Sequence, residues 1–179
     1  MNQITNRNEF RMWLYSNSQC AKECFLNLKR GNPVNYNYFY YIDAVEEALC
    51  FGWIDSTVRI IGGKCMQRFS PRRKNSHWTE LNKERVRRLE KLGLMTDYGR
   101  SVLPNMNEFV VDPDVKKDLS SVWKIFSSFH PLYQRVRLSN LSFHKNSSSY
   151  SKMIETTIEK TKQRKYIGQW NDYGRLLNY

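Results

Sequence analysis

Apolar and polar positions along the 179-residue chain leave helical spacing for one short stretch after about residue 52 and then return to it. From the start to about residue 50 the spacing is helical. Asn6 followed by Glu9 has the form of a capping box, opening a helix with Phe10, Trp13 and Leu14 on one side. A second helix is predicted over Ser18–Arg30, with Ala21, Cys24, Phe25 and Leu28 inward and Gly31 as its stop. The stretch NYNYFYYIDAVEEALCFG predicts a third, with Val45, Ala48 and Leu49 inward and Asp43, Glu46 and Glu47 mostly exposed. Then WIDSTVRII alternates, which is the pattern of a strand with one wet face. Gly62-Gly63 is a hairpin turn signal, and KCMQRFS returns as the second strand.

Helical spacing resumes after this hairpin. Thr79 is the expected cap of ELNKERVRRLEKL, whose stripe is Trp78, Val86, Leu89 and Leu92. Thr96 caps a short helix, and Asp112 with Pro113 opens another whose stripe runs through Val115, Leu119, Val122, Trp123 and Phe126. Further helices are expected from Pro131 and over about Ser149–Lys165, the latter after the loop-like run SFHKNSSSYS. The aromatic tail YIGQWNDYGRLLNY is expected to pack on the body. These elements predict one α+β domain over residues 1–179, mainly α-helical. A helical part (1–50) precedes a small antiparallel hairpin or sheet at about 53–70, and a helical part (76–179) follows.

Charge sharpens the picture. Lys64–Lys91 holds ten Lys and Arg against three Glu, so it supplies +7 of the net +12. With a two-residue turn, Thr57 is expected opposite Arg68 and Asp55 opposite Ser70. That pairing puts Asp55, Arg59 and Arg68 on one face. Arg72, Arg73, Ser76 and the Thr79 helix start follow at its rim, and a helix start beside arginines suits an anion. Trp78 and Asn82 complete the candidate ligand-binding set, although Trp53 and Trp78 also fit as core anchors and Asn82 as part of the cap. The implied partner is an anionic ligand, either a phosphate-containing small molecule or nucleic acid. Asp55 is the one candidate acid/base for an enzyme acting on a small phosphorylated or carboxylated substrate.

Other chemistries find little support. No Walker, dinucleotide or nucleophile-elbow pattern occurs. Cys20 and Cys24 would share a helix face, but no second pair matches them and His77, His130 and His144 are scattered. Thiols buried as small apolar groups are therefore expected, with no metal and no cofactor. No segment has the length for membrane insertion and the first residues lack a secretory apolar core, so the expected place is the cytoplasm.

Two blocks, AVEEALCFGWIDS and RFSPRRKNSHWTELNKERVRRLEKLGLMTDYG, resemble the bacteriocin-protection family, also called the YdeI/OmpD-associated family. The resemblance rests on Glu47–Asp55, Arg68–Arg72, Ser76–Thr79, Asn82, Arg85 and Val86, and is close over Val45–Gly99, with Thr79 where that family usually has Ser. It implies a non-enzymatic role in tolerance to bacteriocins or antimicrobial peptides, and an association with a porin or other envelope protein. The chain's positive charge argues against direct capture of cationic peptides.

Overall fold

A computed structural model describes residues 4–35 and 37–179. The fold is α+β, with helices predominating around one small antiparallel sheet. In chain order the elements are α1 (Arg7–Asn17), β1 (Cys24–Leu26), α2 (Tyr41–Cys50), β2 (Trp53–Ile61), β3 (Lys64–Pro71), α3 (Glu80–Lys91) and α4 (Asp97–Ser101). There follow α5 (Pro113–Asp118), a 3-10 turn at Ser120–Val122, α6 (Trp123–Phe126), α7 (Pro131–His144) and α8 (Tyr150–Lys162). Among the described residues no helix is long and apolar enough to cross a membrane.

The chain divides into two compact units. The first takes in the described residues up to His77, with Arg85–Pro104 and Tyr179; the second takes in Trp78–Glu84 and Asn105–Asn178. α3 thus begins in the second unit and ends in the first.

In the first unit the sheet order is β1-β3-β2. The predicted helix over Ser18–Arg30 does not form; its middle is β1, with Cys24, Phe25 and Leu26 paired to Phe69, Arg68 and Gln67. The same apolar residues satisfy a period of two, with Cys24 and Leu26 buried, and an available strand partner outweighs local propensity. Cys20 and Cys24 therefore share no helix face: Cys20 is exposed and Cys24 buried. The third predicted helix begins later than its sequence suggests, at Tyr41; Tyr36, within that stretch, lies outside the described residues.

A second correction concerns α2. Glu46 and Glu47 were expected on a wet face, yet they are 0% and 1% exposed. Arginines from two other helices explain how this is tolerated. Arg7 on α1 bonds Glu46 at 2.9 Å and Glu47 at 2.6 Å, Arg11 bonds Glu47 at 2.7 Å, and Arg88 on α3 bonds Glu46 at 2.8 Å. Each carboxylate so faces two guanidinium groups, the condition under which buried charge is stable. The field of these carboxylates, resisted by burial, raises the pKa of Arg7 and Arg11.

α1 is capped as its sequence implies. Asn6 accepts the Glu9 amide at 2.9 Å, while Glu9 reaches back to the Thr5 amide at 2.7 Å. α4 packs on the end of α2 through Gly99. A Cβ there would lie 2.3 Å from the Cys50 carbonyl oxygen.

The second unit has its own apolar core. Val115, Leu119, Val122 and Phe126 meet Leu132, Tyr133, Leu138 and Leu141, and the tail closes the cluster with Trp170 and Leu176. Asp112 caps α5 by accepting the Asp114 amide at 2.9 Å, with Pro113 in the first turn.

Two stability predictions follow from the first unit. Glu47→Ala leaves Arg7 and Arg11 short of a counter-charge and should lower the unfolding free energy by about 3 kcal/mol in urea titration. Gly99→Ala, which would stabilise an open helix by ~1 kcal/mol, should here destabilise by about 1–3 kcal/mol because the added methyl meets backbone.

Candidate functional site

The β2–β3 hairpin decides where the candidate residues point. Near the turn the pairing is as expected, with Ile61 opposite Lys64 and Arg59 opposite Met66. Between Asp55 and Val58 the register shifts: Val58 pairs with Gln67 but Asp55 pairs with Phe69. Ser56 and Thr57 thus oppose Arg68 alone, a one-residue bulge. Its consequence is a reversal of faces. Asp55 lies with Gln67 and Phe69, while Arg59 and Arg68 lie on the other side, so the expected single face of Asp55, Arg59 and Arg68 does not exist. The bulge is sealed from within, where the Gln67 side-chain amide donates to the Ser56 carbonyl at 2.9 Å.

On the outer face Arg68 is paired and Arg59 rests on a ring. Arg68 Nε bonds Glu23 at 2.6 Å, and its Nη1 reaches the hydroxyls of Ser56 at 3.0 Å and Ser70 at 3.4 Å. Arg59 lies over the Phe25 ring at 5.6 Å. A groove of about 1300 Å³ opens beside the hairpin tip, between Met12, Trp13, Phe25, Ile61 and Met66. Its lining is mostly apolar and contains no arginine, so volume and chemistry indicate different places; the chemistry is the better guide to a polar ligand.

That chemistry lies on the inner side. Tyr41, the first residue of α2, donates its hydroxyl to Asp55 Oδ2 at 2.5 Å. Arg30 stacks over the Tyr41 ring, 3.8 Å from its centroid, and donates to Gln67 Oε1 at 2.6 Å. Arg72, just past β3, is tied to the sheet by its amide on the Gly52 carbonyl at 2.9 Å. Its Nη1 holds the Ser76 hydroxyl and the His77 carbonyl, both at 3.2 Å. Arg72 feels the field of Asp55, and Arg85 on α3 that of the Tyr41 phenol. Three arginines from three segments therefore act on one carboxylate and one phenol, Arg30 by contact and Arg72 and Arg85 through their fields.

Burial, reinforced by the Asp55 carboxylate, pushes the Tyr41 phenol up to about 12. Burial also pushes the Arg72 guanidinium down to about 10, and Asp55 offsets only part of this. A positive group held in a desolvated place gains most from an added negative charge.

Of the residues expected from sequence, Asp55, Arg72 and Ser76 are in this cluster. Arg59 and Arg68 are on the opposite face, and Arg73 is exposed in the turn. Trp78 and Asn82 are buried in the second unit, where the Asn82 amide donates to the Thr79 hydroxyl at 3.2 Å, the expected cap. Tyr41, Arg30 and Gln67 escaped the sequence reading, whereas Arg85 lies in the basic run that already pointed to an anionic partner. Arg30 and Tyr41 flank an irregular segment that was expected to be helix at both ends, and only the tertiary fold joins them.

Residues 2–102 match a domain of unknown function (DUF8412), and the chain belongs to that family. The match takes in the blocks on which the bacteriocin-protection resemblance rested, and it overturns that assignment. The tolerance role and the porin association, implied by that resemblance alone, lose their support with it. No curated protein and no solved structure matches the chain.

The raised phenol yields a pH prediction. A tyrosine whose folded pKa exceeds its ordinary value of 10 contributes stability that is complete below pH 10 and lost as pH climbs to about 12. Unfolding free energy should therefore fall between pH 10 and 12 by roughly 2 kcal/mol more in the wild type than in Tyr41→Phe. Equal slopes would show that the phenol is not held protonated.

Proposed function

We propose that the protein is a non-enzymatic binding protein for an anionic ligand bearing a phosphate or carboxylate group, seated at Arg30, Arg72 and Arg85 beside the Tyr41–Asp55 pair. The observation that carries this reading is the convergence of the three arginines on one phenol and one carboxylate. The cluster has a formal charge of +2, counting the three guanidinium groups and Asp55. Arginine suits the task, because its planar fork makes paired charge-assisted bonds to anionic oxygens. Ser76, held by Arg72, adds a hydroxyl. The same reading places the chain in the cytoplasm, where its four cysteines, all without disulfides, persist as thiols.

A second reading is an enzyme, favoured by the 2.5 Å Tyr41–Asp55 hydrogen bond. A phenol kept protonated against a carboxylate can deliver a proton while the arginines clamp the substrate. A third is nucleic-acid binding, favoured by the exposed Arg59, Lys64, Arg73 and Lys74 on and after the hairpin.

Titration calorimetry with inorganic phosphate and with a short single-stranded oligonucleotide tests all three. Arg30→Ala and Arg72→Ala should each weaken phosphate binding by about 1.5–3 kcal/mol, roughly ten- to a hundredfold, without loss of fold. Asp55→Asn should bind phosphate as well or better, because a competing negative charge is gone. Wild-type affinity in Arg72→Ala would refute the site. Steeply salt-dependent binding of the oligonucleotide, lost on Arg59→Ala and Arg73→Ala, would favour nucleic acid instead.

A further inference from the structure

The helix pair α7–α8 contains polar groups that the cluster in the first unit leaves unexplained. Five residues, 145–149, join the two helices and fold α8 back along α7. Arg137 on α7 then meets Thr157 on α8, its Nε and Nη2 lying 2.9 and 2.5 Å from the hydroxyl oxygen. Arg137 Nη2 also reaches the Met153 carbonyl at 3.1 Å. Tyr133 stands one turn back on α7 and Thr161 one turn onward on α8. The antiparallel pairing that joins 137 to 157 therefore sets 133 across from 161.

The hydroxyl-bearing residues are deeply buried, Tyr133 at 1% exposed and Thr157 and Thr161 at 0%, and Arg137 is half-buried. The Thr157 hydroxyl is satisfied, since it accepts from Arg137 and donates to the Met153 carbonyl at 2.6 Å. The hydroxyls of Tyr133 and Thr161 are not; among the described residues neither makes a hydrogen bond of good geometry. Tyr133 faces the Ile167 amide without such a bond. Nor does any carboxylate among the described residues lie within ion-pair distance of Arg137, whereas Arg135 in the same helix pairs with Glu84 at 2.8 Å. Burial lowers the pKa of Arg137, as it must for a cation that lacks a counter-charge. Buried hydroxyls without partners and a half-buried charge without a counter-charge are each costly, and such groups are normally satisfied by protein, water or an ion.

What they share is donor character. A guanidinium, two hydroxyls and a backbone amide all offer hydrogen, and one of them is positive. We propose that Arg137, Tyr133 and Thr161 bind a small monovalent anion between α7 and α8, of the size of chloride or a single carboxylate. Ring packing sets the size. Phe129 and Tyr166 lie edge-on to Tyr133, with centroids 5.3 and 4.8 Å away, and Trp170 stacks on Tyr166 at 5.0 Å. A phenol enclosed by rings in this way favours a small ion over a nucleotide. This site is independent of the arginine cluster in the first unit.

Thermal unfolding of the full chain at fixed ionic strength tests it, with sodium chloride or acetate exchanged for sodium gluconate, whose anion is too large to enter. The melting temperature should rise with the logarithm of chloride or acetate concentration and not with gluconate. Arg137→Met should weaken the apparent anion affinity at least tenfold, and Thr161→Val several-fold. In the Arg72→Ala background, which disables the first site, a chloride response should persist and should still weaken on Thr161→Val, which separates this site from the first. Equal stabilisation by gluconate, or loss of the response in Arg72→Ala, would overturn the proposal. Thr161→Val decides the matter if Arg137→Met does not fold. A Thr161→Val protein that keeps the wild-type anion response, and is merely more stable, would mean that the hydroxyl is buried without a ligand.

Discussion

The first unit is organised around two carboxylates that cannot be left alone. Glu46 and Glu47 are adjacent on α2, both out of contact with water, and adjacent like charges in a desolvated place repel strongly. Their burial is possible only if α1 delivers Arg7 and Arg11 and the later part of α3 delivers Arg88. Three helices are thereby fixed against each other by direction as well as by apolar contact. Hydrophobic packing alone would tolerate some sliding of α1 along α2, but the bonds from Arg7 to both carboxylates would not. With α2 so held, its first residue, Tyr41, has a fixed place beside the sheet. The Tyr41–Asp55 pair is thus a downstream result of the buried charges.

A single extra residue does the rest. Without the bulge at Ser56–Thr57, strict alternation would put Asp55 on the face of Arg59 and Arg68. There it would compete with Glu23 for Arg68, and Ser56 would take its place opposite Phe69. With the bulge, Asp55 turns inward beside Phe69, and Gln67 both plugs the bulge and receives Arg30. The bulge therefore sorts the charges. Arg68 goes to a solvent-facing ion pair worth little, whereas Arg72 goes to a half-buried place where charge matters more, with Arg30 at its exposed edge.

Local signals were the legible part of this fold. The Asn6 and Asp112 caps, the Thr79 cap, the Gly-Gly turn and the pairing nearest it could all be read from neighbouring residues, because their physics is confined to a few positions. The illegible parts depend on distant partners. Residues 24–26 fit both a helical and an alternating pattern, and only β3 selects the strand. The phase of α2 marks Glu46 and Glu47 as polar but cannot show that arginines dozens of residues away cover them. A bulge between Asp55 and Val58 has no glycine to announce it. The candidate site was accordingly half visible: Asp55, Arg72, Ser76 and the basic helix that bears Arg85 could be named, but Tyr41 and Arg30 could not.

The distribution of neutralised charge gives the surplus of +12 a location. Glu46, Glu47, Glu23, Glu90 and Glu84 are each engaged by an arginine, and Asp112 with Asp114 by Lys145. These pairs account for Arg7, Arg11, Arg68, Arg88, Arg100 and Arg135. Arg30 and Arg137 have no ion pair among the described residues, and each is held instead by uncharged groups, a ring and an amide for Arg30, a hydroxyl and a carbonyl for Arg137. Such partners fix a guanidinium in position without cancelling its field. An arginine that only had to be stable would do better beside a carboxylate, and the chain has carboxylates to supply. Positioned but uncancelled arginines, one beside Tyr41 and one between α7 and α8, are where a negative charge from outside the chain is stabilised most.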